Sequence, residues 1–178
     1  MADDSLLLEV LAESHRFGAL GEAPELAILH SERFLAALGA ASSVLDLGSG
    51  GGIPGLVLAV RRPDLSFVLL DRRTARTDLV IRLVHRLGVA DRVRVVAGEA
   101  ASVAKQVGYR GQFDTVVSRS FGGPEVTAQR AAPFLQPGGI LVASEPPETL
   151  SRWDTPGVVR TGLIPIQSPS GLQMLQKA

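Results

Sequence analysis

Residues 46–55 read DLGSGGGIPG and follow the apolar residues Val44 and Leu45. Glycine accepts positive φ and lets a ligand approach the backbone closely. Five glycines in ten residues therefore predict a turn after a strand whose backbone is not covered by side chains. Residues 54–60 predict a helix leaving the turn, because they are mostly apolar and proline suits a first helical turn. The free N–H groups and positive dipole end of such a helix favour a phosphate, a nucleotide or another charged ligand. The stretch therefore predicts a ligand-binding strand–loop–helix unit.

Around this unit, short runs rich in valine and leucine alternate with amphipathic segments. The runs predict five strands, several of them apolar on both faces as in a buried parallel sheet: 43–47, 66–70, 92–96, 113–118 and 139–144. Helical periodicity and stop signals predict the helices between them: 54–60, 76–87 and 124–135. Alternating strands and helices favour right-handed crossovers. We therefore expect an α/β fold with a doubly wound, mostly parallel sheet.

The two ends of the chain are less regular. Residues 4–13 and 24–38 predict helices, and apolar runs at 157–166 and 172–175 predict a closing antiparallel strand pair. A length of 178 residues fits one domain of ordinary size. We expect a single domain made of three parts, which are an N-terminal helical segment (1–41), a cofactor-binding core (42–145) and C-terminal strands (146–178).

Composition narrows the class of protein. A hydrophobic content of 46% excludes a disordered chain. The chain has no cysteine and only 3 histidines, so we expect no disulfide, no thiol nucleophile and no metal site. The acidic start MADDSLLLEV is unlike a secretory signal, and no apolar run is long enough to span a membrane. We expect a cytoplasmic protein without a membrane partner, whose oligomeric state the sequence does not indicate.

Charge is unevenly distributed along the chain. The formal net charge is zero, but residues 61–94 hold nine arginines against four aspartates. Arg82 and Arg86 are four residues apart and would share one helix face. This segment is either a solvated helix face or a phosphate-facing patch for nucleic acid, and both interpretations stay open.

Two ligands fit the glycine-rich turn. A dinucleotide would use Gly50, Gly52 and Gly55 as G-x-G-x-x-G, with Asp71 on the ribose. Pro54 interrupts that motif, however, and the chain has no Tyr-x-x-x-Lys pair around its one tyrosine. S-adenosylmethionine is the second candidate.

Four motifs in order resemble the large class of α/β methyltransferases that use S-adenosylmethionine. In that class an acid ends the first strand, as Asp46 does, and Gly48 and Gly50 follow it. Asp71 ends the second strand, where it would take the ribose hydroxyls. Glu99 follows the third strand, where an acid commonly lies near the adenine amino group. Residues 135–142, LQPGGILV, resemble the turn into the fifth strand.

A closer resemblance is to the bacterial 16S ribosomal RNA guanine-N7 methyltransferases, also called the glucose-inhibited division protein B family. It is carried by VLDLGSGGGIPGLVLAVRRPDLSFVLLDRRTAR (44–76), by VVSRSF (116–121) and by PFLQPGG (133–139). The resemblance covers about residues 28–145. It implies S-adenosylmethionine as the cofactor and ribosomal RNA or the small ribosomal subunit as the partner.

The resemblance also implies roles for individual residues. Gly48 and Ile53 would line the cofactor site, and Ala100 and Ala101 would meet the adenine through backbone groups. Arg119 would lie at the mouth of the site, near both cofactor and substrate, and is the candidate catalytic residue. Guanine N7 has a free lone pair, so the implied reaction needs alignment and desolvation rather than a general base.

Several residues depart from the family pattern. The N-terminal tryptophan-asparagine signature is missing, Ala75 and Glu145 stand where the family has lysine, and Glu99 replaces an arginine. Arg33 and Phe34 replace an aspartate-serine pair. Two alternatives therefore stay open: a diverged methyltransferase acting on a small molecule or another acceptor, and an NAD(P)-binding oxidoreductase or non-catalytic nucleotide-binding protein.

Overall fold

A computed structural model describes residues 4–145 and 152–178. These residues contain one sheet of seven strands in the order β3-β2-β1-β4-β5-β7-β6. The strands are Ser43–Leu47 (β1), Ser66–Asp71 (β2), Val93–Ala97 (β3), Phe113–Ser118 (β4), Leu135–Ser144 (β5), Leu163–Ile166 (β6) and Leu172–Lys177 (β7). The first five are parallel, and β7 runs antiparallel to both β5 and β6. The predicted doubly wound sheet with an antiparallel C-terminal pair is confirmed.

Eight helices connect or flank the strands within the described residues. They are Ser5–Arg16 (α1), Pro24–Glu32 (α2), Leu35–Leu38 (α3), Gly55–Arg61 (α4), Thr74–Arg86 (α5), Ala100–Val103 (α6), Pro124–Ala131 (α7) and Pro156–Val159 (α8). The predicted helices at 4–13, 54–60 and 76–87 are confirmed with small shifts in their ends. None of the helices among the described residues is long and apolar enough to cross a membrane.

The core lies on both faces of the sheet because neighbouring strand residues point to opposite sides. Val44 belongs to the cluster under α4 and α5, whereas the adjacent Leu45 belongs to the cluster under α6 and α7. The same division separates Leu69 from Leu70 on β2. Strands buried on both faces explain why their sequences are almost continuously apolar.

Four sequence predictions differ from the structure. The first residues of the predicted strand run 157–166 belong to α8, and only Leu163–Ile166 forms β6. The predicted helix 24–38 is broken between α2 and α3, because Phe34 turns inward and is 1% exposed. The predicted helix 124–135 ends at Ala131, and Leu135 already belongs to β5. That strand begins earlier than predicted, with a register shift between the pairs Phe113–Leu135 and Thr115–Ile140 that accommodates the Gln-Pro-Gly-Gly turn. Residues 146–151 of the predicted C-terminal part lie outside the described residues.

Candidate functional site

The turn after β1 forms the floor of a cleft at the carboxyl edge of the sheet. Gly48, Gly50 and Gly52 have φ values of +78°, +52° and +99°, which residues with a side chain rarely adopt. The backbone N–H groups of Gly48 and Ser49 donate to the carbonyl of Leu70 at 2.8 and 3.0 Å. The turn is therefore tied to β2, and its backbone path requires the glycines.

Asp46 lies beneath this turn and is fully buried. Its Oδ2 accepts a hydrogen bond from the backbone N–H of Gly55 at 2.8 Å, while its Oδ1 has no partner among the described residues. Burial raises the pKa of Asp46 to about 7; the Gly55 N–H opposes this rise and the charge of Asp71 adds to it. Asp46 therefore holds the turn and α4 together from below, and direct contact with a cofactor stays a prediction.

Asp71, at the end of β2, braces the same turn from the side. Its Oδ2 accepts from the backbone N–H of Gly50 at 3.0 Å, and its Oδ1 accepts from the backbone N–H of Arg73 at 2.9 Å. Burial favours the neutral acid, but the hydrogen bonds from Arg73 and Gly50 outweigh it and keep the pKa of Asp71 below its ordinary value. An ionised carboxylate retains further lone pairs, so the predicted ribose contact is compatible with this geometry.

The N-terminal helices close the far side of the turn. Ser14 Oγ on α1 donates to the carbonyl of Gly51 at 2.9 Å. A Cβ at Gly51 would collide with Ser14 Oγ and would lie 2.8 Å from the carbonyl oxygen of Ala19. The absence of a side chain at position 51 thus lets α1 and the segment after it pack directly on the loop. No sequence pattern indicated this contact.

Two adjoining cavities make up the cleft. The first, of about 380 Å³, is lined by Asp71, Glu99 and Ala100 among others. The second, of about 350 Å³, is lined by Gly50 and Ile53 and by charged residues that include Glu22, Arg76 and Arg119. Gly48, Arg73 and Ser120 line both cavities.

The structure thus brings together most of the predicted cofactor residues. Glu99 is exposed at the start of α6 and lies 3.5 Å from Arg72. Ala100 is buried against the core, and Ala101 is exposed on the outer side of the same helix. Ile53 is partly buried and packs on the cluster formed by α1, α2 and α4.

Arg119 lies at the end of β4 and forms an ion pair with Glu22, a residue that the sequence did not single out. Glu22 Oε2 also bonds His30 Nδ1, at 2.8 Å. Burial favours the neutral form of Glu22, but the bonds from Arg119 and His30 outweigh it and lower the pKa of this carboxyl. The N-terminal segment therefore supplies the group that orients Arg119.

A third cavity, of about 340 Å³, opens on the other side of Arg119 and Ser120. We call it the acceptor-side cavity; it is lined by Arg33, Phe121, Glu145, Arg152 and Trp153, together with Arg119, Ser120 and others. Ser120 has a φ of +55°, a costly conformation for a residue with a side chain. This conformation occurs where the three cavities meet.

Five of the nine arginines in segment 61–94 form ion pairs with acids among the described residues. Arg61 pairs with Asp4 at 2.6 Å and with Glu32 at 2.7 Å, and Arg86 pairs with Glu9 and Glu13. The guanidinium of Arg82 lies over the ring of Phe17 at 5.9 Å. This favours the solvated, ion-paired face over a phosphate-facing patch.

The charged groups of the cleft fit a molecule with a nucleoside at one end and a carboxylate at the other. Asp71 and Glu99 offer acceptors in the first cavity, and three arginines (73, 76 and 119) line the second. Burial and the adjacent charge of Arg73 lower the pKa of Arg76, so an anion between these two cations would be stabilised. S-adenosylmethionine has this arrangement of groups. Among residues 4–145 and 152–178, no cluster of acidic or histidine side chains could hold a metal ion.

Solved structures of similar fold include several that are named as methyltransferases. A putative O-methyltransferase from Klebsiella pneumoniae superposes with a TM-score of 0.68 at 16% identity, covering 100% of this chain and 92% of that one. An O-methyltransferase from Bacillus cereus in complex with SAH gives a TM-score of 0.67 at 18% identity, covering 99% and 93% of the two chains. At these identities the likeness shows the fold.

Sequence relatives are more specific. The ribosomal RNA small subunit methyltransferase G of Moorella thermoacetica is 36% identical over 107 residues, which are 60% of this chain and 44% of the relative. The protein of the same name from Salinispora arenicola is 42% identical over 106 residues, which are 57% and 43% of the two chains. The chain thus spans somewhat less than half the length of the curated relatives it matches.

The family described as rRNA small subunit methyltransferase G matches residues 22–148. This match takes in Glu22 as well as the turn and Arg119, and the chain belongs to the rRNA small subunit methyltransferase G family.

Proposed function

We propose that this protein transfers a methyl group from S-adenosylmethionine to guanine N7 of 16S ribosomal RNA, in the cytoplasm and on the small ribosomal subunit. The family match over residues 22–148 carries the proposal. The cleft supports it, because acids line its first cavity and arginines line its second, which suits a nucleoside and an amino-acid carboxylate.

Within the cleft we assign the ribose to Asp71 and the adenine to the segment from Glu99 to Ala101. Gly48, Gly50 and Ile53 shape the wall between the two cavities. We assign the carboxylate end of S-adenosylmethionine to the three arginines of the second cavity (73, 76 and 119), which Glu22 also lines. Asp46 supports this arrangement by fixing the turn through Gly55.

When bound, S-adenosylmethionine supplies an electrophilic methyl group on a sulfonium. The protein then has to orient the acceptor and exclude water. Arg119 is suited to this because it lines both the second cavity and the acceptor-side cavity. The ion pair with Glu22 keeps the guanidinium of Arg119 at the boundary between these two cavities. From there the guanidinium can donate hydrogen bonds to the acceptor base or to a phosphate.

A diverged enzyme with a small acceptor is the second candidate. The specific observation in its favour is that five of the nine arginines of segment 61–94 are paired with acids, which reduces the charge available to a phosphate backbone.

Methyl transfer from labelled S-adenosylmethionine to small ribosomal subunits that lack the N7 mark tests the proposal. Label on one guanine, mapped by sequencing, is the expected result. Asp71→Ala combined with Gly48→Val should abolish it. Binding of S-adenosylhomocysteine without labelling of the subunits would refute the RNA acceptor and favour the small-molecule candidate.

A further inference from the structure

The acceptor-side cavity has a composition that the methyl donor does not explain. It adjoins the cofactor cleft through Arg119 and Ser120, and Phe121 lines both this cavity and the first cavity. A Cβ on Gly48 would lie 2.5 Å from Phe121 Cδ2, so this ring stands directly against the glycine turn. Whatever enters the cavity therefore lies one side chain away from the methyl donor.

Three arginines, Arg33, Arg119 and Arg152, face this cavity against one carboxylate, Glu145. Glu145 Oε1 accepts from Arg152 Nη2 at 2.7 Å, and its Oε2 accepts from Arg152 Nε at 3.2 Å. This bidentate contact occupies one edge of the guanidinium and leaves the N–H groups of its other edge for a ligand. Glu145 thus holds Arg152 in a fixed direction.

A further observation indicates an anionic ligand. Arg33 is exposed and has no acidic partner among the described residues, and its Nη1 lies 3.5 Å from the place of a Cβ on Gly171. Its guanidinium is therefore available to an anion that enters the cavity.

We propose that the acceptor-side cavity takes the nucleotide to be methylated, with its base against Phe121 and its flanking phosphate on Arg33 and Arg152. Glu145 is the positioning residue for Arg152. The inference rests on the proposed function in taking a nucleotide as acceptor. It favours RNA over a free nucleotide because Arg33 and Arg152 are both exposed to solvent, where a longer chain can pass. Glu145, which reverses the charge of the family lysine, thereby serves phosphate binding instead of opposing it.

Charge-removing variants test this with small ribosomal subunits that lack the N7 mark. Arg33→Gln and Arg152→Gln should each raise KM for the subunits about 5- to 10-fold and reduce the slope of log(kcat/KM) against log[salt] by about 1. The Kd for S-adenosylhomocysteine should change less than about twofold in both variants. Arg160→Gln, an exposed arginine at the end of α8 and outside the cavity lining, is the matched control.

Glu145→Gln gives the sharpest outcome because the two explanations predict opposite signs. A positioning residue predicts that KM for the subunits rises as in Arg152→Gln, and that the double variant is no worse than Arg152→Gln alone. A residue that merely repels RNA predicts that KM falls. A fall in KM, or KM values within twofold of the parent for both arginine variants, would overturn the proposal.

If the parent protein does not label the subunits at all, binding of guanosine 5′-monophosphate to the protein loaded with S-adenosylhomocysteine decides the question. Binding that is lost in Arg152→Gln would support the phosphate site with a free nucleotide as its ligand. No binding of either the subunits or the nucleotide would overturn the proposal. The labelling experiment thus tests whether RNA is the acceptor, and the nucleotide-binding experiment tests separately whether the cavity binds a phosphate.

Discussion

Substitution of Gly48 by alanine offers the most direct test of how the turn shapes the cofactor cleft. The new Cβ would lie 2.5 Å from Phe121 Cδ2 and 3.3 Å from Phe121 Cε2. Carbon atoms pack at about 3.5–4.0 Å, so the ring would have to move by roughly 1 Å. Because Phe121 lines both the first cavity and the acceptor-side cavity, this movement changes the wall that separates donor from acceptor.

The backbone adds a second cost that has to be separated from the first. Gly48 has a φ of +78°, and a left-handed conformation costs a residue with a Cβ about 1–2 kcal/mol. Gly162 also has a φ of +78° but has nothing within 4 Å of its virtual Cβ. Gly162→Ala therefore carries the same backbone cost without the collision.

We expect Gly162→Ala to lose about 1–2 kcal/mol in urea unfolding and to bind S-adenosylhomocysteine with unchanged affinity. Gly48→Ala should lose a further 1–3 kcal/mol or so from overpacking, and its Kd for S-adenosylhomocysteine in calorimetry should rise about tenfold or more. Adding Phe121→Leu to Gly48→Ala should restore part of the binding. Equal affinity of Gly48→Ala and Gly162→Ala for S-adenosylhomocysteine would refute the reasoning.

Three further predictions concern the acids. The folded pKa of Asp46 is raised to about 7 from 3.8, so its contribution to stability is full below about pH 4 and is lost as the pH rises through 7. Relative to Asp46→Asn, the parent should lose up to about 4 kcal/mol of unfolding free energy between pH 4 and pH 8, and parallel urea-unfolding profiles would contradict this. Asp114, at the opposite edge of the sheet, has its folded pKa lowered to about 2 by hydrogen bonds from two serines that outweigh burial, so its contribution is present above pH 4 and is lost as the pH falls through 2. Asp114→Asn should cost about 1–2 kcal/mol at pH 7, with the gap closing near pH 2 and binding of S-adenosylhomocysteine unchanged. Glu22→Gln should lower methyl transfer about tenfold by releasing Arg119, whereas the exposed Glu25→Gln should not, and equal rates in the two variants would show that the ion pair has no part in the reaction.

The sheet could be predicted because its strands are buried on both faces. Val44 and Leu45 point in opposite directions and are both fully buried, so neither face of the strand is exposed to solvent and the strand stands out in the sequence as a mostly apolar run. The glycine turn was predictable for a related reason, because left-handed φ values restrict positions 48, 50 and 52 to glycine. Local rules of backbone and burial were sufficient in both cases.

The N-terminal contribution to the site could not be predicted in this way. Glu22 lies 97 positions before Arg119 along the chain, and Ser14 reaches a carbonyl 37 positions away. Neither residue stands in a periodic pattern or a motif that would distinguish it from a surface acid or a helix serine. The break between α2 and α3 has the same origin, since the burial of Phe34 depends on strands and helices that come later in the sequence.

Charge was the least predictable property, because its effect depends on which groups lie opposite one another. Nine arginines in 34 residues left both a solvated face and a nucleic-acid surface open, and two of them, Arg61 and Arg86, face acids from α1 and α2. In the sequence, the negative charge of Glu145 indicated a site that would exclude a phosphate. In the structure, Glu145 is bound to Arg152 in the lining of the acceptor-side cavity. A carboxylate that fixes a guanidinium in place can favour phosphate binding, because the arginine then loses less conformational freedom when the ligand arrives. The sign of one residue in the sequence is therefore a poor guide to the potential that the substrate meets, and the ion pair is the unit from which that potential has to be inferred.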